Sequence, residues 1–271
     1  MPELPEVETT CRGIRPHIEN KIVHHVVVRR SDLRWPVPGD LSGRIEGLSI
    51  ERVDRRAKYL LLETENGTLI VHLGMSGSLR VVTAEQAVKK HDHIDLVFTD
   101  QTILRFNDPR RFGAVLWTAE PIETHTLLRD LGPEPLQSNF DGTHLYQTAK
   151  NRSIAVKSFI MDSHVVVGVG NIYANEALFM AGIRPDRAAG NISKNRYDQL
   201  ADCIREVLSD AIEQGGTTLR DFVNESGKPG YFQQQLRVYG RGGEPCRNCL
   251  TPLNEIRIAN RSTVYCRRCQ T

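Results

Sequence analysis

The feature that most constrains this chain is a set of four cysteines near its C-terminus. Cys246 and Cys249 form one C-x2-C pair, and Cys266 and Cys269 form a second after sixteen intervening residues. Each pair presents two thiolates from one tight turn, and two such turns complete a tetrahedron around one zinc ion. Four protein ligands leave no coordination position open, so the expected Zn2+ is structural and not catalytic. Clustered cysteines in a chain without an export signal favour metal over disulfides. The intervening Asn254–Val264 carries Arg257, Arg261 and alternating apolar residues, which suits a β-hairpin whose tip faces phosphate. A ribbon this short cannot bury enough core to fold unaided, so the metal should supply its folding energy. Cys11 and Cys203 fall on helical faces and read as buried reduced thiols.

The other residues, up to a length of 271, suffice for two domains with a sizeable core. No run reaches the roughly 18 apolar residues of a membrane span. The opening MPELPEVETT is acidic and lacks the apolar stretch of a secretory signal, so the cytoplasm is the expected address. Net charge is only +2, but Arg and Lys bunch locally at Arg55–Lys58, Arg110-Arg111 and Arg257–Arg268. Local basic patches, more than the average, make a phosphate-binding face, although solvated surface charge is the plainer account of any one of them alone.

Residues 1–130 read mainly as strands. The candidates are Val23–Arg30, Leu48–Val53, Tyr59–Thr64, Thr68–Leu73, His93–Phe98 and Thr102–Phe106, separated by turns such as Glu65-Asn66-Gly67. A helix precedes them, with Val7, Cys11, Ile14 and Ile18 at helical spacing. Strands behind one helix suggest a sandwich or a barrel. The Pro/Gly-rich Leu131-Gly132-Pro133-Glu134-Pro135 reads as the core of a linker over 131–145. Helices follow over Thr143–Lys150, Ser153–Met161, Ile172–Ala181 and Ser193–Gln214, with Gly182 and Pro185 ending the third. Residues 146–235 thus form a helical domain, and 236–271 the cysteine module.

The N-terminus carries candidate chemistry. Initiator Met is normally trimmed from Met-Pro, which exposes the secondary amine of Pro2. An α-amino group titrates near about 8, well below a lysine, and a neutral amine attacks carbonyl-like carbons to form an iminium. Glu3 and Glu6 lie beside it and suit proton transfer. On local grounds alone, Pro and acids are also what a helix start prefers.

These residues do not stand alone. Met1-Pro2-Glu3-Leu4-Pro5-Glu6-Val7-Glu8, Arg55-Arg56-Ala57-Lys58-Tyr59, His72-Leu73-Gly74-Met75-Ser76-Gly77, Asp108-Pro109-Arg110-Arg111-Phe112-Gly113, Gly168-Val169-Gly170-Asn171-Ile172-Tyr173, Gly215-Gly216-Thr217-Thr218 and the four-cysteine ribbon occur in that order. Together they closely resemble the bacterial formamidopyrimidine-DNA glycosylases, over nearly the whole chain. The resemblance implies an α+β multidomain fold: an N-terminal β-sandwich with a leading helix, a helical domain with a helix–two-turn–helix, and a C-terminal zinc ribbon. It implies a bifunctional glycosylase and AP lyase that excises oxidised purines from double-stranded damaged DNA. Pro2 is then the nucleophile and Glu3 the proton donor; Lys58 assists β-elimination and Arg261 the second elimination. Met75, Arg110 and Phe112 fill the stack vacated by the flipped base. Lys157, Asn171 and Arg261 hold phosphates, and His91, Arg110 and Arg152 match DNA-contacting positions. Residues 215–231 become a lid over the extruded base. Within that lid Arg220 stands where a Lys is expected in some relatives, which puts the base preference in doubt. A monomer, bacterial and nucleoid-associated, is the expected form.

The residue types suit such work. Unstacking a base costs a few kcal/mol, and a flexible Met on a turn and a flat Phe can refill the gap. Arg110 can offer its planar fork to the orphaned partner base. Glycines before a helix let backbone amides approach an anion, though Asn171 also fits a plain helix cap. Two other readings remain in view. One is an endonuclease VIII-like glycosylase for oxidised pyrimidines. The other is a non-catalytic zinc protein that senses damage, which would have no need of Pro2, Glu3 and Lys58.

Overall fold

A computed structural model describes residues 2–215 and 236–271, and in it the chain forms two compact units. The first contains the described residues up to Arg129 with Gln214 and Gly215; the second contains Asp130–Glu213 and 236–271. The expected lid and Arg220 lie outside the described residues, except for Gly215.

Helix α1 spans Leu4–Ile18. It starts where it does because Glu3 and Glu6 cap it reciprocally: the Glu3 N–H donates to Glu6 Oε2 at 2.8 Å, and the Glu3 carboxylate accepts from the backbone of Glu6. Pro5, in the first turn, loses nothing by lacking an N–H there. Val7, Cys11, Ile14 and Ile18 form one apolar stripe, and all are buried.

That stripe covers two four-stranded antiparallel sheets. Strands β1 (Val23–Val28), β6 (Asp92–Phe98), β7 (Ile103–Asn107) and β5 (Ser78–Val82) form one, in that order. Strands β2 (Arg52–Arg56), β3 (Tyr59–Thr64), β4 (Gly67–His72) and β8 (Ala114–Thr118) form the other. Alternate residues of both, including Leu60, Leu62, Leu69, Val71, Ile94, Leu96, Phe98, Leu104 and Phe106, share one core with α1. The period of two along each strand places this set on the inner faces, the arrangement of a sandwich. A short helix α2 (Leu41–Ile45) seals it with Leu41 and Ile45.

Helix α2 was not expected from the sequence, and three strands also differ from the expectation. The strand expected over Leu48–Val53 begins only at Arg52, because Ile50 donates its N–H to Lys21 O and Ser49 bridges to Ile22. These contacts tie the apolar part of that run to the chain after α1, and the charged RVDRR pairs with β3 instead. Strands β5 and β8 fall on runs too short to declare a period, and their partners are remote in sequence.

The second unit packs α3 (Gly142–Ala149) and α5 (Asn171–Met180) against the long α6 (Lys194–Glu213), with the short α4 (Val156–Ile160) beside α5. Asp141 caps α3 through His144 N–H at 2.6 Å. Residues 172–179 of α5 are buried on every side, whereas α6 buries one stripe from Tyr197 to Ile212. The cysteine module supplies the hairpin β9 (Asn254–Ile258) and β10 (Arg261–Tyr265), and β10 lies against α5. Among the described residues, no helix is long and apolar enough to cross a membrane.

Candidate active site

Pro2 is buried and immediately precedes the residue that caps α1. Its nitrogen therefore lies outside the helical hydrogen-bond ladder. Glu3 is 2% exposed, so its carboxylate is a buried group placed one residue from that amine. Lys58 occupies the second position of a two-residue turn, Ala57-Lys58, where Arg56 pairs with Tyr59. Ala57 takes the left-handed conformation at φ 54°. The turn is tied to α1 through Arg55, which donates to Glu8 Oε2 at 2.8 Å and to Ala57 O at 2.8 Å. Burial pushes the Glu8 carboxyl up, but Arg55 and Arg12 together hold it below its ordinary range. The Glu8–Arg55 pair thus fixes the Lys58 turn relative to the start of α1.

Behind Lys58 lies His72, opposite Tyr59 in the β3–β4 pairing with ring centroids 4.9 Å apart. Burial pushes its imidazole down to about 4, and the Lys58 and Arg34 cations push the same way. A neutral ring can accept at Nδ1, and Gly74 N–H donates to it at 3.1 Å. This bond orients the turn that carries Met75.

The turn that carries Met75 meets the Arg110–Phe112 turn through Gly74. A Cβ on Gly74 would stand 2.4 Å from the Phe112 carbonyl carbon. Ser76 Oγ donates to Asp108 Oδ1 at 3.0 Å. Arg110 lies over the Phe112 ring at 5.0 Å, and Phe112 is 42% exposed. His91 joins the group through its carbonyl, which accepts from Asp108 N–H at 3.0 Å.

In the second unit, the four cysteine sulfurs lie within 4.8 Å of one another. Cys246–Cys269 and Cys249–Cys266 are 3.9 and 3.5 Å apart, close to the about 3.8 Å edge of a tetrahedron with zinc–sulfur bonds of about 2.3 Å. The thiols fit one structural Zn2+. Their hairpin turns at Ala259-Asn260, both left-handed, so Arg261 projects exposed at the tip. Lys157, expected to hold phosphate, is 1% exposed, and its ammonium donates to Ser262 O at 2.8 Å and Thr263 Oγ1 at 2.7 Å. Its present contacts thus brace the strand that carries Arg261. Asn171 is the first residue of α5, with Gly170 as the cap, and its buried Oδ1 has no hydrogen-bond partner among the described residues. Arg152 is exposed in the chain between α3 and α4.

Sequence reasoning missed the supports. Asn175 Oδ1 accepts from Val264 N–H at 2.8 Å, and the Glu176 carboxylate accepts from the N–H groups of Arg237, Val238 and Tyr239 at 2.7–2.9 Å. Two adjacent polar residues in an otherwise apolar helix were the available signal.

Three matched segments define the class. Residues 1–115 match the formamidopyrimidine-DNA glycosylase N-terminal domain, residues 131–223 its H2TH domain, and residues 243–271 the zinc finger found in FPG and IleRS. Formamidopyrimidine-DNA glycosylases of Marinobacter nauticus and Methylococcus capsulatus are 61% and 62% identical over the full length of both chains. The MutM (Fpg) protein of Thermus thermophilus shares 37% identity at a TM-score of 0.89, covering 99% of this chain and 98% of that one. A Lactococcus lactis Fpg in complex with abasic-site DNA reaches 0.92 at 30% identity, covering 99% of both. The chain belongs to the formamidopyrimidine-DNA glycosylase family.

Proposed function

We propose that this chain excises oxidised purines from double-stranded DNA and then cuts the strand, with Pro2 as the nucleophile. The observation that carries the reading is the place of Pro2: its nitrogen lies just outside α1, next in sequence to the buried Glu3, in a member of this family. Neutral Pro2, exposed once Met1 is removed, attacks the anomeric carbon while the base departs with a proton from Glu3. The sugar ring opens and leaves an iminium. That electron sink acidifies the neighbouring carbon, and two eliminations expel the 3′ and then the 5′ phosphate. Lys58 serves the first and Arg261 the second.

The interface follows the same division. Residues 1–130 would supply the chemistry together with His91 and the Met75, Arg110 and Phe112 wedge. The linker expected over 131–145 runs into α3, which already begins at Gly142, ahead of the domain expected over 146–235. There Arg152, Asn171 and Lys157 serve the backbone, Lys157 by holding the hairpin of 236–271 and by sharing its ammonium with phosphate. Arg220 would contact the extruded base. The zinc organises the ribbon that presents Arg261 and takes no chemical part. The protein works as a monomer on the bacterial nucleoid, and its affinity comes mainly from phosphate contacts.

A duplex panel tests this. Release of 8-oxoguanine and formamidopyrimidine opposite cytosine, followed by double elimination, is expected. Faster release of oxidised pyrimidines would overturn the substrate assignment. Tight binding with no strand cleavage would overturn the enzymatic one.

A further inference from the structure

We infer that Asp108 is a positioning residue that locks the three wedge residues into one rigid unit; the inference rests on the reading of Met75, Arg110 and Phe112 as the wedge. Asp108 is fully buried at 0% exposure. Oδ1 accepts from Ser76 Oγ at 3.0 Å and from Arg110 N–H at 3.2 Å, and Oδ2 accepts from Gly113 N–H at 2.7 Å. One carboxylate therefore grips the turn of Met75 and both ends of the Arg110–Phe112 turn. Among the described residues, its carboxylate partners are one O–H and two backbone N–H donors, and none is a cationic side chain.

Its backbone extends the grip. The Asp108 N–H donates to His91 O, and the Asp108 carbonyl accepts from Arg111 N–H at 3.3 Å and lies 2.8 Å from His93 Nε2. Arg111 is held left-handed at φ 58°, which reverses the chain so that Arg110 and Phe112 stack. The two turns are in direct backbone contact: a Cβ on Gly74 would meet Phe112 and Gly113 atoms at 2.4 and 2.5 Å, and one on Gly113 would meet His72 O at 2.7 Å. A wedge must arrive preformed, because ordering a loose turn during unstacking adds conformational entropy to a step that already costs a few kcal/mol. Asp108 touches neither base nor sugar in this role.

The experiment measures base extrusion separately from chemistry. Stopped-flow fluorescence of 2-aminopurine beside an 8-oxoguanine reports extrusion, and cleavage of a single-stranded abasic oligonucleotide reports Pro2 chemistry with no stack to wedge. In Asp108→Ala, extrusion and duplex excision should fall at least roughly tenfold, since all three bonds to the carboxylate are lost. Single-strand abasic cleavage should stay within about twofold of the parent. Asp108→Asn keeps an acceptor for two of the three donors and should recover part of the loss. Should Asp108→Ala not fold, Asp108→Asn and Ser76→Ala carry the test with the same direction and smaller size.

Wild-type extrusion rates in the Asp108 and Ser76 variants, alongside slowed extrusion in Met75→Ala and Phe112→Ala, would overturn the positioning role while leaving the wedge intact. Wild-type rates in Met75→Ala and Phe112→Ala would remove the wedge and the inference with it. Equal losses on both substrates in the Asp108 variants would make the residue a general structural support and also overturn the role.

Discussion

Glu176 offers the prediction whose size follows most directly from the structure. Its side chain is 1% exposed on the wholly buried α5. Oε1 accepts from Val238 and Tyr239 N–H and Oε2 from Arg237 N–H, so one carboxylate satisfies three successive backbone donors. Those donors lie where the chain enters the cysteine module. In Glu176→Ala each donor still buried without a partner costs about 1–3 kcal/mol, and partial relaxation toward water leaves a net loss of about 3–5 kcal/mol. Glu176→Gln is nearly isosteric. Its oxygen can still take Val238 and Tyr239, but its amide faces Arg237 donor to donor, so the loss is about 1–3 kcal/mol. Against a total of about 5–15 kcal/mol, both effects are measurable by urea denaturation of the zinc-loaded protein. Release of zinc to a chromogenic chelator should quicken in the same order, Ala ahead of Gln ahead of the parent. A Glu176→Ala protein within about 0.5 kcal/mol of the parent, with unchanged zinc release, would refute the reasoning.

Further expectations concern the metal, the turns and pH. Cys249→Ala should lose zinc and the order of the β9–β10 hairpin; metal content and near-UV circular dichroism read this, and retained zinc at full stoichiometry would contradict it. Gly74→Ala combines φ +64° with a Cβ 2.4 Å from backbone, so a loss above about 1 kcal/mol is expected in thermal unfolding. The His72 imidazole, held near 4 against an ordinary 6.5, binds its proton more readily in the unfolded chain. Its contribution, at most about 3 kcal/mol, is present above pH 6.5 and is lost as pH falls toward 4. Stability curves of the parent and His72→Gln should therefore converge over that range, and parallel curves would contradict the assignment.

What was legible in the sequence was whatever repeats at short range. The two C-x2-C pairs, the α1 stripe and the Tyr59–Thr64 strand depend on neighbours within a few residues, and the structure bears each of them out. Residues whose partners lie far along the chain were not legible. Asp108 meets Ser76 thirty-two positions away, and Glu176 meets Val238 sixty-two away. Asp108 reads locally as an ordinary surface acid, and Glu176 stands out only as one of two polar neighbours in an apolar helix. Strand β8 was opaque for the same reason, since an apolar run of five residues acquires its identity only from pairing with β4. Lys157 shows the same limit: the resemblance assigned it to phosphate, but nothing near it in the sequence announced that its ammonium also holds Ser262 and Thr263 of the remote β10. Pro2 was ambiguous alone, because a helix start and a nucleophile prefer the same residues there. The colinear set of segments, and then the family, are what support the nucleophile reading proposed above.

The central claim is that the secondary amine of Pro2 does the chemistry, and the most direct measurement locates the covalent bond. The protein is incubated with a duplex containing 8-oxoguanine opposite cytosine, reduced with borohydride, digested and mapped by mass spectrometry. The account predicts a stable sugar adduct on the nitrogen of Pro2, absent from a chain that keeps Met1 and sharply reduced in Pro2→Gly, which offers only a primary amine, while both variants still bind the damaged duplex. An adduct on Lys58 or another lysine, or undiminished trapping with Met1 in place, would contradict it.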